Sequence, residues 1–268
     1  SRLIWKQYNG EDMDKGIYLF RLTAKKQAHE AVDFIPFLFG VEIEEFAWWN
    51  VAWQLKRQIN ITDTYVDSNL INFTHLIKLN TSNFDFGSAQ ANGEDIRFLN
   101  STETGELSYE IEFWNSTNAI IWVRIPELES AEDTVIFMYY DNSLASDGQD
   151  VVDAWGTNYL AVYHMAEDST GTPPPILASA TASSAANLNT YSDTNSSDIR
   201  TYGMLGYSAD FDGNTGNRYM RESYFVDPDS YNAGLSLSIW FNKNESNSDE
   251  SIMAFRDAGI WGKIRINL

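Results

Sequence analysis

Apolar and polar residues alternate with a period of two along much of the middle of the chain, the spacing of strands that bury one face. Leu55, Arg57, Ile59 and Ile61 share one side, and Gln54, Lys56, Gln58 and Asn60 share the other. Leu107, Tyr109, Ile111 and Phe113 oppose Ser108, Glu110 and Glu112, while Ile121, Val123 and Ile125 oppose Trp122 and Arg124. Val135–Tyr140 is apolar on both sides, which predicts a central strand covered on both faces. Turn signals at Asn92-Gly93, Thr104-Gly105 and Asp141-Asn142 separate the runs. Many short strands with almost no helical period predict an all-β chain built of antiparallel β-sandwich or jelly-roll domains in tandem.

Towards the termini the pattern weakens, and three zones are expected. Residues 1–46 read as an N-terminal extension or the end of a preceding segment, with strands at Gly16–Leu22 and Val41–Phe46. A helix is predicted over Ala24–Val32, supported by a Lys26–Glu30 pair. A sharper reading makes this zone a segment that adds a strand to a neighbouring subunit. Residues 47–146 form the regular sandwich. Residues 147–268 open with a short strand at Tyr159–Met165 and a long loop over Glu167–Tyr202, which holds Pro173, Pro174 and Pro175. Strands are expected to resume near Ser208–Phe211, Arg218–Arg221, Leu235–Phe241, Ile252–Arg256 and Trp261–Leu268. The last run breaks off inside a strand, so a longer parent protein is expected. No leader is visible after Ser1, and no stretch approaches the roughly 20 apolar residues of a membrane span.

Composition narrows the chemistry. The 268 residues contain no cysteine, which excludes disulfides, zinc–thiolate sites and thiol nucleophiles. With 18 basic and 38 acidic residues the net charge is −20, which repels nucleic acid and anionic membrane surfaces alike. Nine tryptophans and 43% hydrophobic residues supply ample material for packed cores.

Ordered blocks then carry two resemblances. The runs Trp48–Thr62, Asn80–Phe86, Asn92–Asn100, Leu107–Asn115, Ala119–Pro126 and Thr134–Ser146 resemble an uncharacterised β-rich domain family of secreted and surface proteins in archaea and bacteria. Where that family carries a glycine after its paired tyrosines, this chain has Asp141. The segments Trp155–Glu167, Met204–Met220 and Leu235–Phe241 resemble a LamG-like domain of the concanavalin A-type lectin/glucanase superfamily, covering about residues 147–268 and incomplete at the C-terminus. Together the resemblances imply an extracellular, non-enzymatic cell-surface protein. It would be structural or adhesive, with lectin-like domains and self-association into a filament, sheath or layer. The alternative is the carbohydrate-binding module of a secreted glycan-active enzyme.

Candidate site residues follow from residue type and spacing. Glu110 and Glu112, two apart on one strand, share a face at a spacing tolerable for a glycosidase carboxylate pair, but the alternation assigns them to a solvated face. His29, His75 and His164 show no metal-binding spacing, and His164 reads as a satisfied residue of an apolar strand. No catalytic motif is present, so no cofactor is expected. Calcium is the exception, because Asp210, Asp212, Asn214 and Asn217 cluster oxygen donors around a glycine-rich turn; a plain Asp-Gly turn is the simpler reading. Trp114, Trp122 and Trp240 fall on the polar sides of their strands and are candidates for stacking on glycan rings, against the alternative of a second packing surface. The cluster Trp48, Trp49 and Trp53 reads as structural. N-x-Ser/Thr sequons at Asn60, Asn72, Asn80, Asn100, Asn115, Asn195 and Asn244 mark candidate glycosylation sites and hence an exterior surface.

Overall fold

A computed structural model describes residues 18–24, 39–45, 48–157, 159, 161–166, 189–191, 200–209, 219–221, 236–242, 251–257 and 260–267. The fold is all-β, and every strand pair among the described residues is antiparallel. Strands β1 (Tyr18–Ala24) and β2 (Phe39–Glu45) form a two-stranded sheet with Arg21 opposite Glu42. The helix predicted over Ala24–Val32 lies outside the described residues except for Ala24, which ends β1.

Seven strands then build the sandwich: β3 (Leu55–Ile61), β4 (Leu70–Asn80), β5 (Arg97–Leu99), β6 (Glu106–Leu107), β7 (Tyr109–Trp114), β8 (Asn118–Leu128) and β9 (Thr134–Tyr140). One sheet has the order β3-β9-β5-β6 and the other β4-β8-β7. The two inner faces meet in one core. Ile121, Val123 and Ile125 of β8 face Ile136 and Met138 of β9, joined by Ile61, Ile77, Leu79, Phe98, Leu107 and Tyr109. Each aliphatic side chain buried this way contributes about 1.5–3 kcal/mol of transfer free energy, so the period-two pattern is the direct source of the two layers.

As predicted, β9 is central and covered on both faces. Ile136, Met138 and Tyr140 point inward. Phe137 and Tyr139 point outward beneath Trp48, Trp49 and Trp53, with the Trp48 and Tyr139 rings 5.3 Å apart and Trp49 and Trp53 4.9 Å apart. The tryptophan cluster is therefore a lid on the four-stranded sheet. Its edge is fastened by Trp53, whose indole N–H donates to the Asp95 carbonyl at 2.6 Å.

Asp95 and Arg97 lock the corner between sheet and lid. The Asp95 carboxylate is buried and accepts the backbone N–H groups of Gln90 (2.8 Å), Asp141 (2.8 Å) and Asn142 (3.1 Å). Arg97 donates to the carbonyls of Ile96 (2.6 Å), Ser146 (2.7 Å) and Glu94 (3.0 Å). Asp141 adopts φ = +67°, a left-handed conformation that favours glycine.

The described residues just beyond β9 stay on the sandwich. Helix α1 (Val151–Trp155), Tyr159, Val162 and His164 lie on the outer face of the three-stranded sheet. Thr74 of β4 donates to the Ala154 carbonyl at 2.8 Å, Arg124 of β8 to the Asp153 carbonyl at 3.2 Å, and the Ile111 N–H of β7 to the Gln149 side chain at 2.5 Å. All three strands therefore hold this segment. Farther on, β10 (Asn189–Tyr191) pairs with β13 (Tyr219–Arg221), β11 (Arg200–Tyr202) with β12 (Tyr207–Ala209), and β14 (Ser251–Asp257) with β15 (Ile260–Asn267). Leu235–Phe241 was expected as a half-buried strand. Its described part, within 236–242, forms no strand and exposes Leu237, Ile239, Trp240 and Phe241.

Candidate functional site

The outer face of the three-stranded sheet holds the densest polar chemistry of the sandwich. Glu110 and Glu112 project onto this face from β7, and Trp122 projects beside them from β8. Trp155 at the end of α1 and His164 close over them. The imidazole bridges both carboxylates, with Nε2 2.9 Å from Glu110 Oε2 and Nδ1 3.2 Å from Glu112 Oε2. The same two oxygens accept indole N–H groups, Trp155 to Glu110 at 2.5 Å and Trp122 to Glu112 at 2.7 Å. Ring contacts at 5.1 Å (Trp122–Trp155) and 5.0 Å (Trp155–Tyr159) complete the walls.

This placement corrects the solvated-face expectation for Glu110 and Glu112. The alternation was read correctly, but the face it named is covered: the Glu110, Glu112 and His164 side chains are only 9%, 4% and 12% exposed. Burial by itself would pull the His164 pKa down; hydrogen bonds to the two carboxylates, reinforced by their charge, reverse this and raise it to about 9. His164 is therefore an imidazolium at neutral pH, held as the cation of a buried acid–imidazolium–acid triad. Both carboxylates are spanned by one ring, and neither lines the two surface depressions described below. The arrangement joins α1 and His164 to the sheet; it does not hold two acids apart across a cleft for a glycosidic bond.

A β-bulge explains a second difference from the pattern. Ile111 pairs with Ile121 and Phe113 with Ile120, so Glu112 is an extra residue on β7. The bulge reverses the alternation beyond it. Phe113 turns outward to meet Tyr207 at 5.5 Å, while Trp114 turns to the core side against Phe84 and Phe86 at 5.9 and 5.3 Å. Gly93, at φ = +76°, makes room for the Trp114 ring, since a Cβ there would lie 2.9 Å from it. Of the three tryptophans expected on polar faces, Trp114 thus packs on the core and Trp122 belongs to the cage. Trp240 is 70% exposed.

The remaining candidates are placed as follows. Asn60, Asn72, Asn80 and Asn115 are exposed, and Asn100 is half-buried. At Asn80, Asn100 and Asn115 the side-chain oxygen accepts hydrogen bonds from within its own turn. Asn195, Asn244, His29 and the calcium candidates Asp210, Asp212, Asn214 and Asn217 lie outside the described residues. Among the described residues no group of three His, Asp or Glu has metal-site geometry. No described helix is long and apolar enough to cross a membrane. His75 is half-buried on β4, and desolvation lowers its pKa.

Two surface depressions lie at the rims of the sheets. The larger, about 530 Å³, opens between the loop 81–87, Ser116 and the ends of β3 and β9, where Arg57 and Tyr140 reach the rim. The loop is rigidly tied: Asn83 accepts the Asn80 N–H at 2.8 Å, and Asp85 accepts the Gly87 N–H and the Ser88 hydroxyl, each at 3.0 Å. The smaller is lined by Asn72, Glu106, Leu107, Ser108, Arg124 and Pro126.

The cage and the Asp95–Arg97 corner escaped the sequence reading. Glu-x-Glu on an alternating strand was the visible half of the cage signal. Nothing one-dimensional connects it to His164, more than fifty residues on.

These features define an antiparallel β-sandwich module whose outer sheet face is sealed by a buried acid–imidazolium cage. A family model described as a domain of unknown function, DUF2341, matches residues 92–167. That span contains Asp95, Arg97 and every member of the cage, from Glu110 to His164. No curated protein matches the chain, and no solved structure does.

Proposed function

We propose that the chain is a non-enzymatic extracellular module, a structural or adhesive component of a cell surface that assembles with copies of itself into a filament, sheath or layer. The observation that carries this reading is the position of the described sequons. Asn60, Asn72, Asn80 and Asn115 stand exposed on the rims and outer strands of the sandwich, where a glycan adds no steric cost. The engagement of Glu110 and Glu112 by His164 supports the non-enzymatic part, because it occupies the carboxylate pair that a hydrolase would need free. An acidic exterior of net charge −20 keeps such modules soluble and apart from nucleic acid.

Peptide mass mapping of the protein isolated from its native source tests the reading. It should find glycan mass on Asn60, Asn72, Asn80 or Asn115, and negative-stain microscopy should show ordered assemblies. Unmodified asparagines together with a monodisperse monomer would refute it. The second reading, a carbohydrate-binding module of a glycan-active enzyme, draws on the exposed Trp240 and the rim depression. It would be favoured by saturable glycan binding without assembly.

A further inference from the structure

We propose that the depression between Arg57, Tyr140 and the loop 81–87 is a binding site for one neutral pyranose unit of a glycan, an assignment that rests on the adhesive reading above. Among the described residues the Arg57 guanidinium has no hydrogen bond or ion pair, although the chain carries 38 acidic residues. The hydroxyls of Tyr140, Ser82 and Ser116 line the same hollow and have no hydrogen-bond partner among the described residues. Four polar side chains without a hydrogen-bond partner among the described residues thus line about 530 Å³ of open space. A sugar hydroxyl both donates and accepts, so it can satisfy the guanidinium fork and the protein hydroxyls together. The half-buried Phe86 ring supplies an apolar surface for a pyranose face.

The hollow is pre-organised, which limits the ordering cost of binding. Phe84 anchors the loop against Phe86 and Tyr140 at 5.0 and 5.1 Å. Asp85 uses its two oxygens within the loop, on Gly87 and Ser88, and makes no ion pair with Arg57. The charges of Asp85 and Asp141 nevertheless reach Tyr140 as that of Arg57 does. Charges of both signs thus stand around the hollow, and the net charge of −20 opposes a polyanion. A neutral sugar fits both conditions.

The test is a calorimetric titration of the 268-residue chain with mannotriose, cellotriose, N-acetylchitotriose and, as the anionic arm, trigalacturonate. At least one neutral trisaccharide should bind saturably. Arg57→Ala should weaken that binding about tenfold or more, the loss of one charge-assisted hydrogen bond. Ser82→Ala should weaken it less, and Trp240→Ala should leave it unchanged. Since Arg57 makes no internal bond, its variant should keep the wild-type urea midpoint, which shows that any loss is local. The assignment is overturned if no neutral trisaccharide binds, if Arg57→Ala binds as the wild type does, or if trigalacturonate binds most tightly. Loss of sugar binding alongside intact assembly and glycosylation would remove this site and leave the surface reading standing. Absence of all three would remove both.

Discussion

Deprotonating His164 should loosen the sandwich on the alkaline side, and the size of the effect follows from the cage. The imidazole titrates at about 9 in the folded chain against an ordinary 6.5. At ~1.4 kcal/mol per pH unit, that difference stabilises the fold by on the order of 3 kcal/mol when His164 is charged. Because the folded value is raised, the contribution is complete below pH 6.5 and disappears as pH rises through 9. The side chain is only 12% exposed, so solvent screening reduces this figure little. Urea unfolding followed by tryptophan fluorescence is a suitable assay, with Trp122 and Trp155 in the cage reporting on it. Between pH 6.5 and 9.5 the wild type should lose most of the ~3 kcal/mol. His164→Gln should start lower and show a flatter profile, because it carries no proton to lose. The difference between the two profiles isolates His164 from other groups that titrate in alkali. A wild-type profile that is flat over this window, or one that the substitution leaves equally steep, would refute the reasoning.

Four further outcomes are expected. Asp141→Gly should raise the thermal midpoint by a few degrees, since the left-handed φ of +67° is relieved by roughly 0.5–1 kcal/mol while the backbone bond to Asp95 is kept. Asp95→Ala should cost about 3 kcal/mol or more in urea unfolding, because the N–H groups of Gln90, Asp141 and Asn142 lose their acceptor. His75→Leu should make the fold more resistant to acid, measured as a smaller fall in unfolding free energy from pH 7 to pH 5. The lowered pKa of His75 means that charging it, as pH falls below its ordinary value, opposes folding. Trp240→Ala should change the unfolding free energy by no more than about 0.5 kcal/mol, as its ring is 70% exposed; a larger loss would show that the ring is packed in solution.

Much of the sandwich was legible because its strands obey one rule. Ile121, Val123 and Ile125 had only one way to face a core, and Val135–Tyr140 needed cover on both sides, which the neighbouring tryptophans supplied. The rule failed where the backbone added a residue. The bulge at Glu112 sends Phe113 outward and Trp114 inward, and no pattern in Glu-Ile-Glu-Phe-Trp announces it. It failed again at the face of Glu110 and Glu112, since a polar residue at an outward position looks the same whether water or another segment lies over it. The polar rim hollow was equally hidden, because Arg57 sits on the inward side of its strand by period and yet is exposed.

By itself, then, the amino-acid sequence determined the class of fold, the two faces of the regular strands and the absence of thiol chemistry. These are local or summed properties, set by side-chain period and composition. Tertiary structure alone decided what covers each face. His164 meets Glu110 and Glu112 because α1 and the segment after it fold back across β7 and β8. The charged triad is tolerable in a buried place because one imidazolium and two indoles satisfy carboxylates that separate stretches of chain bring to the same point.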